Sequence, residues 1–218
     1  SLLEHDMVET LFHEFGHIMH MTLTTAPYGT LSGASVMNDF VEAPSQMLEN
    51  WAWNKSILEK ISGHYLNPSK KIPAELADRK ISFKLLDAGF AYTRQLTFGF
   101  FDLDIHTRSG KVNVTAAMDH AVRSIQKMEP APGNQRPASF GHMMGGYDAG
   151  YYGYLWSQVY AEDMFTRFEK EGLLNPTVGL QYRDLVISQG NTKDPMELLK
   201  AFLRRTPNMN AFYKSLGI

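Results

Sequence analysis

Leu11-Phe12-His13-Glu14-Phe15-Gly16-His17 is the stretch from which the chain is best read. Apolar residues at Met7, Leu11, Phe15 and Ile18, with Val8, Phe12 and Met19 beside them, recur at helical spacing and predict a helix over 2–21. On that helix His13 and His17 lie four apart on one face, so both imidazoles can reach a single ion. Glu14 is turned by about 100° from His13. That places it beside the ion and not on it, where a general base for hydrolysis at a metal belongs. Random ordering of the 8 His and 12 Glu in 218 residues would yield about 0.02 such motifs. Phe15 and Ile18 are expected to point the neighbouring face into a core.

The chain has no cysteine, so disulfides and thiolate ligands are excluded and any metal must be held by His and carboxylates. A structural zinc normally fills all four positions with protein ligands, whereas a catalytic one takes three and leaves one open. The third must come from a second element facing the motif helix. Asp39, Glu42 and Glu49 are the candidates, within a segment that returns after a loop over 22–35; spacing favours Glu42 only narrowly. His20 reads as a packing residue or a partner to a ligand. His5, His64, His106 and His120 read as surface or satisfied core groups.

The rest of the chain predicts a mainly α class. A second helix is expected over 36–62, with a kink or a fresh helix start near 40–44 because Pro44 removes a backbone donor. Pro73 opens a helical region to 108 with a break near 80–83. Asn113 or Thr115 can cap a helix reaching 128. Helices follow over 154–170, 177–188, 195–204 and 209–216, with no run of period-2 strands. The motif helix begins within a few residues of Ser1, so 1–218 is expected to be an excised catalytic, zinc-binding domain of a longer protein.

Hydrophobic content of 44% and charged content of 20% are ordinary for a soluble globular protein. A net charge of −2 supplies no electrostatic reason to expect nucleic acid or an anionic membrane as partner. No stretch approaches a membrane span of roughly 18 apolar residues. The absence of cysteine fits a reducing compartment, and cytoplasmic placement is the expectation.

The segment over 129–153 is dense in Pro and Gly and too long for a simple connection. Its end, 142–154, holds four glycines and four tyrosines in thirteen residues. Two readings fit it. Glycines free the backbone to approach a ligand while the tyrosine hydroxyls and the His142 imidazole offer donors to a developing oxyanion. Alternatively it is a structural turn whose tyrosines pack on the following helix.

The motif stretch, together with Asp39-Phe40-Val41-Glu42-Ala43-Pro44-Ser45-Gln46-Met47-Leu48-Glu49-Asn50-Trp51, resembles the thimet oligopeptidase, neurolysin and oligopeptidase A family, to which dipeptidyl carboxypeptidases are related. Phe140-Gly141-His142, Gly145-Gly146-Tyr147-Asp148 and Tyr151-Tyr152-Gly153-Tyr154-Leu155-Trp156-Ser157 carry the same resemblance, which runs along essentially the whole chain. It implies a zincin-like (gluzincin) helical fold, one half of a two-lobed clam with a deep channel. It implies one zinc ion per chain on His13, His17 and Glu42, with Glu14 as catalytic base. Substrate-carbonyl and transition-state contacts go by resemblance to His142, Tyr147 and Tyr154, with Tyr151 close by. Short peptides are the implied substrates of a monomer, with endopeptidase activity favoured over carboxydipeptidase activity. Family members are much longer than this chain, so the N-terminal part of the same protein is the expected missing partner. Without it, a fragment that binds zinc and peptides but does not turn over stays open as a reading.

Overall fold

A computed structural model describes residues 2–218. Eleven α-helices follow one another among the described residues: α1 (His5–Thr22), α2 (Asn38–Val41), α3 (Ala43–Ala52), α4 (Lys55–Ile61), α5 (Ala74–Ser82), α6 (Ala88–Thr107), α7 (Val114–Ala121), α8 (Gly153–Glu171), α9 (Pro176–Leu185), α10 (Pro195–Leu203) and α11 (Asn210–Leu216). Among the described residues no strand is present, only an isolated bridge between His64 and Asn67. The mainly α expectation therefore holds. No helix among them is long and apolar enough to cross a membrane.

The chain divides into two compact units, one of 1–86 with 157–218 and the other of 87–156. In the first, the expected long second helix is three helices. The chain breaks at Glu42, ahead of Pro44 in the first turn of α3, where the missing amide donor costs nothing. It breaks again at Asn54, whose side chain accepts from the amide of Ser56 and so starts α4. The core of this unit gathers Phe40, Met47 and Trp51 from the return segment, Met164, Phe165 and Phe168 from α8, and Leu198, Leu199 and Phe202 from α10. Trp51 meets Phe165 and Phe168 edge-on, both at 4.9 Å.

Helices α1 and α3 run antiparallel, as the contacts between them show. His5 bonds the carbonyl of Ala52, His13 meets Glu49, and His17 meets Glu42, so rising numbers on α1 face falling numbers on the return segment. Gly16 lets the two backbones come together: a Cβ built there would lie 2.5 Å from Ser45 Cα and 3.0 Å from the Pro44 carbonyl oxygen.

One expectation fails here. Phe15 and Ile18 are 52% and 46% exposed, and Met7 and Leu11 lie on the same open stripe. The face turned toward α3 is the one carrying His13, Gly16, His17 and His20, of which Gly16 and His20 are buried. Close approach at Gly16 and pairing of the imidazoles with carboxylates decide the orientation, and the apolar stripe is left outside. From α1, Phe12 and Met19 pack against the core.

The second unit centres on Phe98, Phe101, Ala117, Met118, Ala121, Val122 and Tyr151. Asn113 caps α7 by accepting from the amide of Ala116, as its side chain predicts. The helix expected to reach 128 is α7 followed by a π-helical turn over Val122–Gln126, which ends at Lys127 in the left-handed region. The break expected near 80–83 extends to Asp87, also left-handed, before α6 begins.

Candidate metal centre

Among the described residues, the group that could hold an ion is His13, His17 and Glu42. Their ligand atoms all lie within 4.8 Å of one another. Nε2 of His13 is 3.2 Å from Glu42 Oε2, and Nε2 of His17 is 3.1 Å from the same oxygen. Donors on a tetrahedral zinc at about 2.0–2.2 Å are separated by about 3.3–3.5 Å. Glu42 thus lies at close to that spacing from both imidazoles, and the set of two imidazoles and one carboxylate is a zinc donor set. Glu42 is buried, and Ser45 holds it by donating to its carbonyl at 2.8 Å and to its carboxylate at 3.2 Å. The break between α2 and α3 is what turns this acid toward α1.

Glu49, an alternative ligand on spacing, has a different place. Its Oε1 is 2.6 Å from His13 Nδ1, on the far side of the ring from Glu42. Burial pushes its carboxyl above the usual range, and the hydrogen bond to His13 pulls it back. At His13 burial opposes charge, but the hydrogen bonds to Glu42 and Glu49 prevail and raise the imidazole to about 10. Asp39 stays outside the group of donors, and its carbonyl accepts from the Ser157 hydroxyl at 2.8 Å. Glu14 sits on the same helix, exposed, next to His13. His20 is fully buried with neither ring nitrogen hydrogen-bonded. Burial, then the charge of His17, lowers it to about 4, so it is neutral near pH 7.

In the second unit the four residues predicted in the glycine-rich stretch form one ring cluster. His142 lies 5.8 Å from Tyr147, 5.2 Å from Tyr151 and 5.7 Å from Tyr154, ring centre to ring centre. Tyr147 stacks on Tyr154 at 4.8 Å. Tyr151 is buried and donates to Gln95 at 2.8 Å, while His142 is exposed. What the sequence reading missed is the anchor of this stretch. Asp102 of α6, fully buried, accepts from the amide of Ala149 at 2.8 Å and of Tyr151 at 2.9 Å, and its Oδ1 is 2.9 Å from His106 Nδ1. Ala149 is held in the left-handed region, φ 56°, where the amide bond to Asp102 fixes an otherwise costly turn. The spacing of Asp102 and His106, one helical turn apart, was the available signal.

A pair of histidines four apart on one helix, with a carboxylate from an antiparallel neighbour, makes a donor set suited to a metal ion. The comparison with known families agrees: the model of peptidase family M3 matches residues 1–218, and the chain belongs to that family. It is 42% identical over 221 residues to a thimet-like oligopeptidase of Dictyostelium discoideum and 41% identical over 226 residues to oligopeptidase A of Escherichia coli. It is 33% identical over 223 residues to a dipeptidyl carboxypeptidase of Escherichia coli. Each match covers all of this chain and 33% of the relative, so the chain spans about a third of the length of these proteins.

Proposed function

We propose that the chain is the catalytic, zinc-binding part of a metallopeptidase that hydrolyses short peptides, with endopeptidase cleavage favoured. The observation that carries this is the convergence of Glu42, from the return segment, with His13 and His17 of α1 within 4.8 Å, α1 also bearing Glu14. His13, His17 and Glu42 would hold one zinc ion, which when bound activates water and polarises the scissile carbonyl. Glu49 orients the His13 ring through Nδ1 and leaves Nε2 free to ligate. Glu14 takes the proton of the attacking water and passes it to the leaving amine. Tyr154, with Tyr147 and His142, supplies donors to the substrate carbonyl and its oxyanion, and Tyr151 contributes to binding. The ring cluster supports this assignment because it holds four donor-bearing side chains together.

A carboxydipeptidase reading is kept by the relative of that name, but the higher identities are to oligopeptidases. The test is a fluorogenic peptide assay with added zinc and with chelator, alongside elemental analysis. Cleavage that follows the zinc content supports the proposal. Zinc bound without cleavage would leave a zinc- and peptide-binding part that needs further chain, and cleavage indifferent to chelator would overturn the metal-dependent mechanism.

A further inference from the structure

The second unit holds two arginines against one phenylalanine ring. The guanidinium of Arg94, on α6, lies 5.0 Å from the centre of the Phe98 ring, and that of Arg136 lies 4.8 Å from the same centre. Among the described residues neither makes an ion pair: Glu129 pairs with Arg123, Asp102 is held by His106 and the loop amides, and Asp119, on the same cavity wall as Arg136, pairs with neither arginine. Burial and then the charge of Arg94 hold the Arg136 guanidinium below its usual range. The Tyr151 hydroxyl is raised by burial, and both arginines act against that rise, which places their charges near its ring.

Stacking alone accounts poorly for this arrangement. Each cation gains a little from an aromatic face at an exposed site, but placing a second like charge on the same ring works against the first. The platform beneath them is fixed. Phe98 is buried, with Phe140 at 4.5 Å and Tyr151 at 5.5 Å, and Gln95 holds the Tyr151 hydroxyl. Two guanidinium forks on a rigid aromatic base, neither of them ion-paired, suit a carboxylate in sign and donor chemistry.

The geometry points to a carboxylate-binding subsite formed by Arg94 and Arg136 beside Tyr151, which takes a carboxylate of the bound peptide, at its C-terminus or on an acidic side chain. This rests on the reading that the chain binds peptides. The test follows the Nε–Hε resonances of both arginines while three peptides are titrated. They are N-acetyl-trialanine as free acid, the same peptide as C-terminal amide, and an amide with one Ala replaced by Glu. The free acid, the glutamyl amide or both should move both resonances and bind on the order of tenfold more tightly than the neutral amide. Which of the two does so identifies the source of the carboxylate. R94A/R136A should abolish the preference, and R94K/R136K, which keeps the charges without the forks, should restore only part of it. Equal affinity for all three peptides, resonances that none of them moves, or a preference that survives in R94A/R136A would overturn the subsite. The readout needs no turnover. Failure of peptide hydrolysis therefore bears on the proposed function alone, and equal binding in a chain that still cleaves peptides bears on the subsite alone.

Discussion

Glu49 Oε1 lies 2.6 Å from His13 Nδ1, on the opposite side of the imidazole from Glu42. Nδ1–H donates to Glu49 and Nε2 faces Glu42 and His17, where loss of the Nε2 proton would free its lone pair for an ion. Glu42 and Glu49 are seven residues apart, two turns along one segment, so a single face of the return segment reaches both edges of one ring. In the proposed site Glu42 ligates and Glu49 orients the ring.

Glu49→Gln should therefore weaken zinc binding without removing a ligand. Losing the charged partner of a ligating histidine typically costs 10–100-fold in metal affinity, and a loss of about that size is expected here. Competition against a chromophoric chelator measures it. Affinity equal to that of the unaltered chain would show that Glu49 is a bystander.

Gly16→Ala should separate α1 from α3. The new methyl would meet Ser45 Cα at 2.5 Å, and backbone cannot swing aside as a flexible side chain can. A loss of about 1–3 kcal/mol in chemical denaturation is expected from overpacking, with weaker zinc binding as Glu42 moves off the histidines. Stability and zinc affinity both unchanged would mean that the helices do not pack as described.

The fold class and most helix positions were legible because helical periodicity, Asn113 as a cap and Pro44 at a helix start are local signals. The convergence of His13 and His17 was legible for the same reason, the two being one turn apart on one helix. The inward face of α1 was not. The stripe of Met7, Leu11, Phe15 and Ile18 has the right period for burial, yet the glycine contact and the histidine pairing turn it outward. Periodicity identifies a helix face but does not say which face meets the neighbour. Asp102 was illegible for a related reason, since its partners Ala149 and Tyr151 lie almost fifty residues away in a segment without regular spacing.

His20 makes stability depend on pH. Its folded value is about 4 against an ordinary 6.5, so the unfolded chain binds the proton more tightly. The contribution is complete above 6.5 and is lost as pH falls through 4, amounting to about 3 kcal/mol across that window. His20→Met should flatten the fall in denaturation free energy over this range. An unchanged slope in that variant would contradict the assignment.

Asp102→Asn should loosen the tyrosine-bearing stretch while leaving the metal ligands alone. An amide nitrogen would then face the N–H of Ala149 or Tyr151, so one buried donor loses its acceptor at a cost of about 1–3 kcal/mol. Hydrogen exchange at those two amides should quicken while zinc affinity stays the same. Unaltered protection at both would show that the stretch is held by its ring packing instead.

The most direct test of the central claim is Glu14→Gln, measured for zinc content and for peptide cleavage on the same preparation. The substitution keeps the shape of the side chain but removes its ability to accept the proton, while His13, His17 and Glu42 are untouched. The variant should bind one zinc per chain and lose cleavage by at least about 10²-fold, the usual contribution of a general base. Near-normal cleavage with zinc in place would contradict the account.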